Sequence, residues 1–152
     1  MEKKRCVTKS AIMVLLIREK DGKQQVLLQK RHHTGYKDGY YDFTASGHVE
    51  ENESMLMACV RETKEEVGVT INKDNLEAMC VIHKHSTGED TYYNGYFKIG
   101  DWEGVPRIAE PEKCSALTWF DIDHLPDNLI EDRKIAIQND IYHVIYDEYG
   151  WN

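Results

Sequence analysis

Glu62, Glu65 and Glu66 stand at i, i+3 and i+4, a spacing that crowds three carboxylates onto one side of a helix. Like charges at helical neighbour positions destabilise by roughly a few tenths of a kcal/mol per pair. A hard divalent ion, Mg²⁺ or Mn²⁺, would turn that repulsion into binding, because such ions are held by oxygen ligands. The bland alternative is a solvated glutamate face on which Arg61 pairs with Glu65 at i+4. The segment just upstream argues for a site. Gly47 and Glu53 lie in a turn-rich approach that brings backbone and a fourth carboxylate to the start of the helix.

The positioning element is a helix over Ser54–Val67. Ser54 is a favoured N-cap type, and Gly68 a favoured residue just past a helix end. Leu56, Val60, Thr63 and Val67 recur at steps of four and three, which predicts a buried stripe with the glutamates on the side away from it.

Around this helix the coarse order is strands, helix, strands, helix. Ala11–Ile17 reads as a strand buried on both faces, Asp21-Gly22 as a turn, and Val26–Gln29 as the returning strand. Arg31–Tyr41 is a loop, and Asp42–Ala45 a short strand leading to Gly47. Tyr36 and Tyr40, with Tyr41, could wall a base pocket, against the commoner role of tyrosine as partly buried packing. Leu76–His85 and Thr91–Ile99 form a strand pair joined through residues 86–90. His83 and His85 share a strand face, which more often marks structural or exposed histidines than ligands. Gly100–Pro111 is a loop, with Glu110 and Glu112 at its end, and Leu117–Ile122 is a further strand. Ile130, Ile137, Ile141 and Ile145, with Lys134 interrupting, predict a long C-terminal helix to about Glu148. The expected class is α+β, with helices covering a mixed sheet.

The segment Gly47–Val69 resembles the Nudix box, Gly-x5-Glu-x7-Arg-Glu-U-x-Glu-Glu-x-Gly-U with U a bulky apolar residue. Gly47, Glu53, Arg61-Glu62, Glu65-Glu66 and Gly68-Val69 match it. Thr63 stands at a U position, and Ala45-Ser46 where Pro-Gly is frequent. Outside the box the likeness is looser. Thr34–Tyr40 is similar to the approach loop of many bacterial members. Glu110–Cys114, Trp119-Phe120 and Leu125-Pro126 are similar to members that cleave nucleoside triphosphates.

The resemblance implies a Nudix-type α/β/α sandwich with a loop–helix–loop box, one domain over residues 1–152. It implies Glu62 and Glu66 as main metal ligands, Glu65 as a further ligand or water contact, and the Ser46 carbonyl completing the set. Arg61 would orient a glutamate, and Gly47 and Glu53 would support the ligands from behind. Glu112 is the nominee for general base, with Glu65 and Glu110 after it.

A chain of 152 residues with 41% hydrophobic and 30% charged residues has the size and composition of one globular domain. Lys+Arg 19 against Asp+Glu 27, net −8, speaks against a binder of long nucleic acid but not against a small phosphorylated substrate met through metal. Cys6, Cys59, Cys80 and Cys114 show no CxxC pair and read as buried free thiols. Lys3-Lys4-Arg5 and the apolar run imitate an export signal, but Arg18-Glu19-Lys20 stands where a cleavage site belongs. No run reaches the length of a membrane span, so a cytoplasmic monomer or homodimer is expected. The activity that the resemblance implies is Mg²⁺-dependent pyrophosphohydrolysis of a nucleoside triphosphate, intact or damaged, to the monophosphate and pyrophosphate. Cleavage of an ADP-sugar or dinucleoside polyphosphate, or nucleotide sensing without catalysis, stand behind it.

Overall fold

The apolar run Ile12–Leu16 lies at the centre of a long strand, β1 (Lys9–Lys20), and its side chains alternate between two cores. Ile12, Val14 and Leu16 face one helix, whereas Met13 and Leu15 face the other. The structure is a computed structural model describing residues 2–86 and 90–152. Positions 87–89 of the expected hairpin connection lie outside the described residues.

The chain runs β1, β2 (Lys23–Arg31), β3 (Tyr41–Asp42), β4 (Ala45–His48), α1 (Met55–Val67), β5 (Glu77–His85), β6 (Thr91–Ile99), β7 (Cys114–Asp121), α2 (Glu131–Ile141) and β8 (Tyr146–Tyr149). The main path across the sheet is β3-β2-β1-β6-β5-β8, with β4 added on β1 and β7 on β2. β1 pairs parallel with β6 and β5 parallel with β8; the other pairings are antiparallel. With α1 packed on one face and α2 on the other, this is the mixed-sheet α/β/α sandwich. No described helix is long and apolar enough to cross a membrane.

β1 is shared between two half-sheets. Its C-terminal end, from Ile17, pairs with β2, while Ala11–Val14 pairs with β4. Thr44 bridges the parting: its hydroxyl accepts from the Leu16 N–H at 3.0 Å and donates to the Leu27 carbonyl. For this reason the expected single strand Asp42–Ala45 is two. β3 belongs to β2 and β4 to β1, with Phe43 and Thr44 buried between them.

The C-terminal helix is also shorter than its periodicity predicts. α2 ends at Ile141, His143 takes φ 59°, and Tyr146–Tyr149 pairs with β5. Ile141, Tyr142, Val144, Ile145 and Tyr146 are β-branched or aromatic, weak in helices and favoured in strands, so strand pairing wins. The buried face of α2 is polar at its start, with Asp132 and Arg133 inside beside Ala136 and Ile137. Three cysteines are buried thiols as expected, but Cys6 is exposed.

Candidate functional site

α1 begins and ends where its sequence says. The Ser54 hydroxyl accepts the Met57 N–H at 3.1 Å, and Gly68 takes φ 73° with its N–H on the Lys64 carbonyl. The helix is rotated relative to the expected stripe. Ala58, Cys59, Thr63 and Val67 are the buried positions, whereas Leu56 and Val60 are only half-buried. Small Ala58 and Cys59 let the helix sit close to the sheet. Glu62 and Glu66 therefore turn toward β4 instead of away from the core. Only Glu65 keeps the solvent-facing position expected for all three, its side chain 52% exposed.

Glu66 is the deepest of the three. Its Oε2 accepts the Ser46 N–H at 2.8 Å and its Oε1 accepts Gln29 Nε2 at 3.2 Å. Burial pushes its carboxyl well above the ordinary range, and the nearby charges of Glu62 and Asp42 push the same way. Glu62, one turn earlier, is also raised, chiefly by burial. It crosses Gly47: a Cβ there would collide with Glu62 Cδ and Oε1. The glycine is required by this approach, not by its backbone angles, since its φ is not positive. Ser46 likewise avoids the left-handed region, so its side chain is compatible with the turn.

Arg61 is the hub of the acidic wall. It holds Glu53 with two prongs (Nε to Oε2 2.8 Å, Nη2 to Oε1 2.9 Å), donates from Nη1 to Glu62 Oε1 at 2.7 Å, and reaches the His48 carbonyl at 3.1 Å. Its pairing with Glu65 is looser, at 3.4 Å. Hydrogen bonding to Arg61 holds the Glu53 carboxyl down at about 2.

The same cleft, of about 780 Å³, is lined by Arg31, Lys84 and Arg133, which belong to a run of alternating charges. Arg31 Nη1 meets Asp42 Oδ2 at 2.9 Å, Arg133 Nε meets Asp42 Oδ1 at 2.8 Å, and Arg133 Nη1 meets Asp132 Oδ2 at 2.7 Å. Lys84 closes the run on Asp132 Oδ1 at 3.2 Å and donates to the Tyr36 hydroxyl at 3.0 Å. Three cations to two anions leave this run one charge positive.

Ser46, Gly47, Arg61, Glu62, Glu65 and Glu66 all line the cleft. Glu53 does not; it stands behind Arg61. Tyr36 lines the cleft, but Tyr40 lies outside it, its ring under Lys37 and its carbonyl taken by the Arg31 N–H. Glu110 lines it as well, whereas Glu112, the nominee for general base, is exposed outside it. His83 is not in the cleft but stacked on Tyr93, with the Trp151 ring tilted beside it. Gln29, Lys84, Asn94 and Arg133 were not among the expected site residues. The signal for Gln29 was a polar residue closing an apolar strand.

Among the described residues, no three His, Cys, Asp or Glu side chains are already gathered into a metal cluster. The donors nonetheless fit a hard divalent ion. They are carboxylates without thiol or imidazole, and two of them are buried like charges that a cation would relieve.

The NUDIX domain model matches residues 7–139, and the chain belongs to the Nudix family. It is 28% identical over 141 residues to Nudix hydrolase 3 of Arabidopsis thaliana; the match covers 84% of this chain and 17% of that protein, so the chain spans a small part of that relative. The crystal structure of a MutT NUDIX hydrolase from Burkholderia pseudomallei superposes with TM-score 0.76 at 25% identity, over 87% of this chain and 97% of the other. The NUDIX domain of Shewanella oneidensis NrtR complexed with ADP ribose shares the fold, with TM-score 0.71 at 17% identity over 91% and 89% of the two chains.

Proposed function

We propose that the chain is a divalent-metal-dependent hydrolase of nucleoside diphosphate linkages, with a nucleoside triphosphate as substrate and nucleoside monophosphate and pyrophosphate as products. The observation that carries the reading is the pair Glu62 and Glu66, successive turns of one helix, both desolvated and both opening on one cleft. Glu62, Glu66 and the Ser46 carbonyl would hold Mg²⁺ or Mn²⁺, with Glu65 as a further ligand or water contact. When bound, the ion neutralises the diphosphate oxygens and lowers the pKa of attacking water.

The chain's own residues set the geometry. The Ser46 N–H and Gln29 Nε2 fix the two oxygens of Glu66, and Arg61 fixes Glu62 while itself anchored on Glu53. Arg31 and Lys84, which line the same cleft, attract the rest of a phosphate chain. Glu65 is the better-placed proton acceptor: it lines the cleft, and its Oε1, the oxygen not turned to Arg61, is available to take the proton of water. Glu110 is the second choice, and Glu112 falls behind both because it lies outside the cleft. ADP-sugar cleavage is the second reading, favoured by the ADP ribose bound to the NrtR domain of the same fold.

The test is a panel of nucleoside triphosphates, ADP-sugars and dinucleoside polyphosphates with Mg²⁺, the products identified by phosphorus NMR. Release of pyrophosphate from a triphosphate is expected; no turnover of any triphosphate overturns the leading reading.

A further inference from the structure

Three buried side-chain polar atoms among the described residues have no hydrogen-bond partner: Thr63 Oγ1, His83 Nε2 and Asn94 Oδ1. Thr63 is on the buried face of α1 and His83 is stacked on Tyr93; Asn94 alone of the three lines the cleft. It stands in β6, 4% exposed. Buried polar groups are nearly always paired, so an orphan at the floor of a binding cleft is a group waiting for a ligand.

The Tyr96 hydroxyl, two residues on along the same strand face, is not the missing donor. That hydroxyl gives its proton to Asp132 Oδ2 at 2.6 Å, so it offers Asn94 only lone pairs. Of the two ends of the carboxamide, the oxygen is the buried one without a partner.

A carbonyl oxygen needs a donor. Phosphate oxygens at neutral pH are acceptors, so Asn94 does not serve the end of the substrate that the metal ligands serve. Its place agrees. Ala11 pairs with His48 in β4 on one side and with Asn94 in β6 on the other. Asn94 therefore lies two strand spacings, about 10 Å, across the sheet from the strand carrying Ser46 and Gly47. Tyr92, two residues earlier and on the same face, adds an aromatic ring to this end of the cleft.

We propose that Asn94 is the base-reading residue, its Oδ1 accepting an N–H from the edge of the nucleobase while the phosphates lie against α1. This rests on the nucleotide reading above.

The test uses the full chain and titrates nucleoside 5′-monophosphates by amide chemical shift. Adenosine, guanosine, cytidine and uridine monophosphates, with the deoxy forms, are compared with purine riboside monophosphate, whose base has acceptors but no N–H. The expected result is that the best-bound base outbinds purine riboside at least about tenfold, as when a site built for a donor meets a ligand lacking it. Asn94→Leu should bring that ratio within about twofold, and Asn94→Asp, which keeps an acceptor, should retain it. A ratio unchanged in Asn94→Leu overturns the proposal, as does an equal loss for every ligand. A change confined to the ribo-to-deoxy ratio overturns it in favour of a sugar contact. Should Asn94→Leu fail to fold, loss of the ratio in Asn94→Asp overturns it. No binding of any monophosphate overturns this proposal, while binding with the expected ratio in a protein that turns over no triphosphate overturns only the activity.

Discussion

Arg61 grips Glu53 through two parallel hydrogen bonds of 2.8 and 2.9 Å, and with its remaining nitrogen holds Glu62 at 2.7 Å. One guanidinium thus ties the approach loop to the first of the buried carboxylates. Arg61→Ala should lower kcat by about 10²-fold, the scale of a misplacement near 1 Å. Arg61→Lys should recover only part, because an ammonium cannot make the two-pronged contact. Steady-state kinetics at saturating Mg²⁺ reads both; wild-type rates for Arg61→Ala would remove its orienting role.

Gly47→Ala separates the site from the fold. The new Cβ meets the far end of the Glu62 side chain, which can swing aside, so the melting temperature should change little. Swinging aside displaces a proposed ligand, so kcat/KM should fall by about tenfold or more. A normal rate in this variant would mean that Glu62 need not cross the glycine.

Glu62→Gln and Glu66→Gln should each lower kcat by about 10² or more, if metal ligation chiefly serves transition-state charge. The effect on stability should run the other way. Burial and like-charged neighbours disfavour the ionised Glu66, so its neutral isostere should stabilise the metal-free protein by about a few tenths of a kcal/mol. Added Mg²⁺ should raise the wild-type melting temperature and leave the Glu66→Gln value nearly fixed. A lower metal-free melting temperature for Glu66→Gln would contradict this account.

Acid should weaken the run of charges around Arg133. Burial alone would raise the carboxyls of Asp42 and Asp132, but the charge of Arg133 overrides it and holds both below the ordinary range. A depressed folded-state pKa gives stability that is complete above the unfolded value, about 4, and is lost as pH falls through the folded one. In the Glu62→Gln, Glu66→Gln background, which removes the two raised carboxyls that would gain stability on protonation, the melting temperature should therefore hold from pH 7 to about 5 and decline below about 4. Arg133→Met should cost about 3 kcal/mol or more, because it removes the cation that Asp42 and Asp132 share and leaves Asp42 with Arg31 alone and Asp132 with Lys84. It should also make the acid limb shallower, since both carboxyls lose the charge that chiefly holds them ionised. Thermal melts across that range decide the matter.

What could be read from the sequence was local. Caps at Ser54 and Gly68, the carboxylate spacing and the continuous apolar run of β1 each depend on neighbours within a few residues. The direction of Glu66 does not follow from them, because bulk is no guide to burial on this helix. Leu56 and Val60 are larger than Ala58 and Cys59, yet the small pair faces the sheet. The cleft floor was hidden for another reason. Gln29, Lys84, Asn94 and Arg133 come from four separate elements, and no spacing links them. The overrun of α2 into β8 shows periodicity yielding to a pairing partner some sixty residues away.

The end of α1 and the loop before β7 are stitched together along the backbone. The Arg107 N–H meets the Val67 carbonyl at 3.0 Å, and the Ala109 N–H meets that of Glu66 at 3.1 Å. These are carbonyls of the last helical turn, which the helix itself leaves without partners. The segment delivering Glu110 is thus clasped to the turn that carries Glu66, and the two will shift as one piece. Anyone exchanging this loop to retune selectivity should place the splice after Ala109, because a cut made earlier would fray the helix that aims the carboxylates.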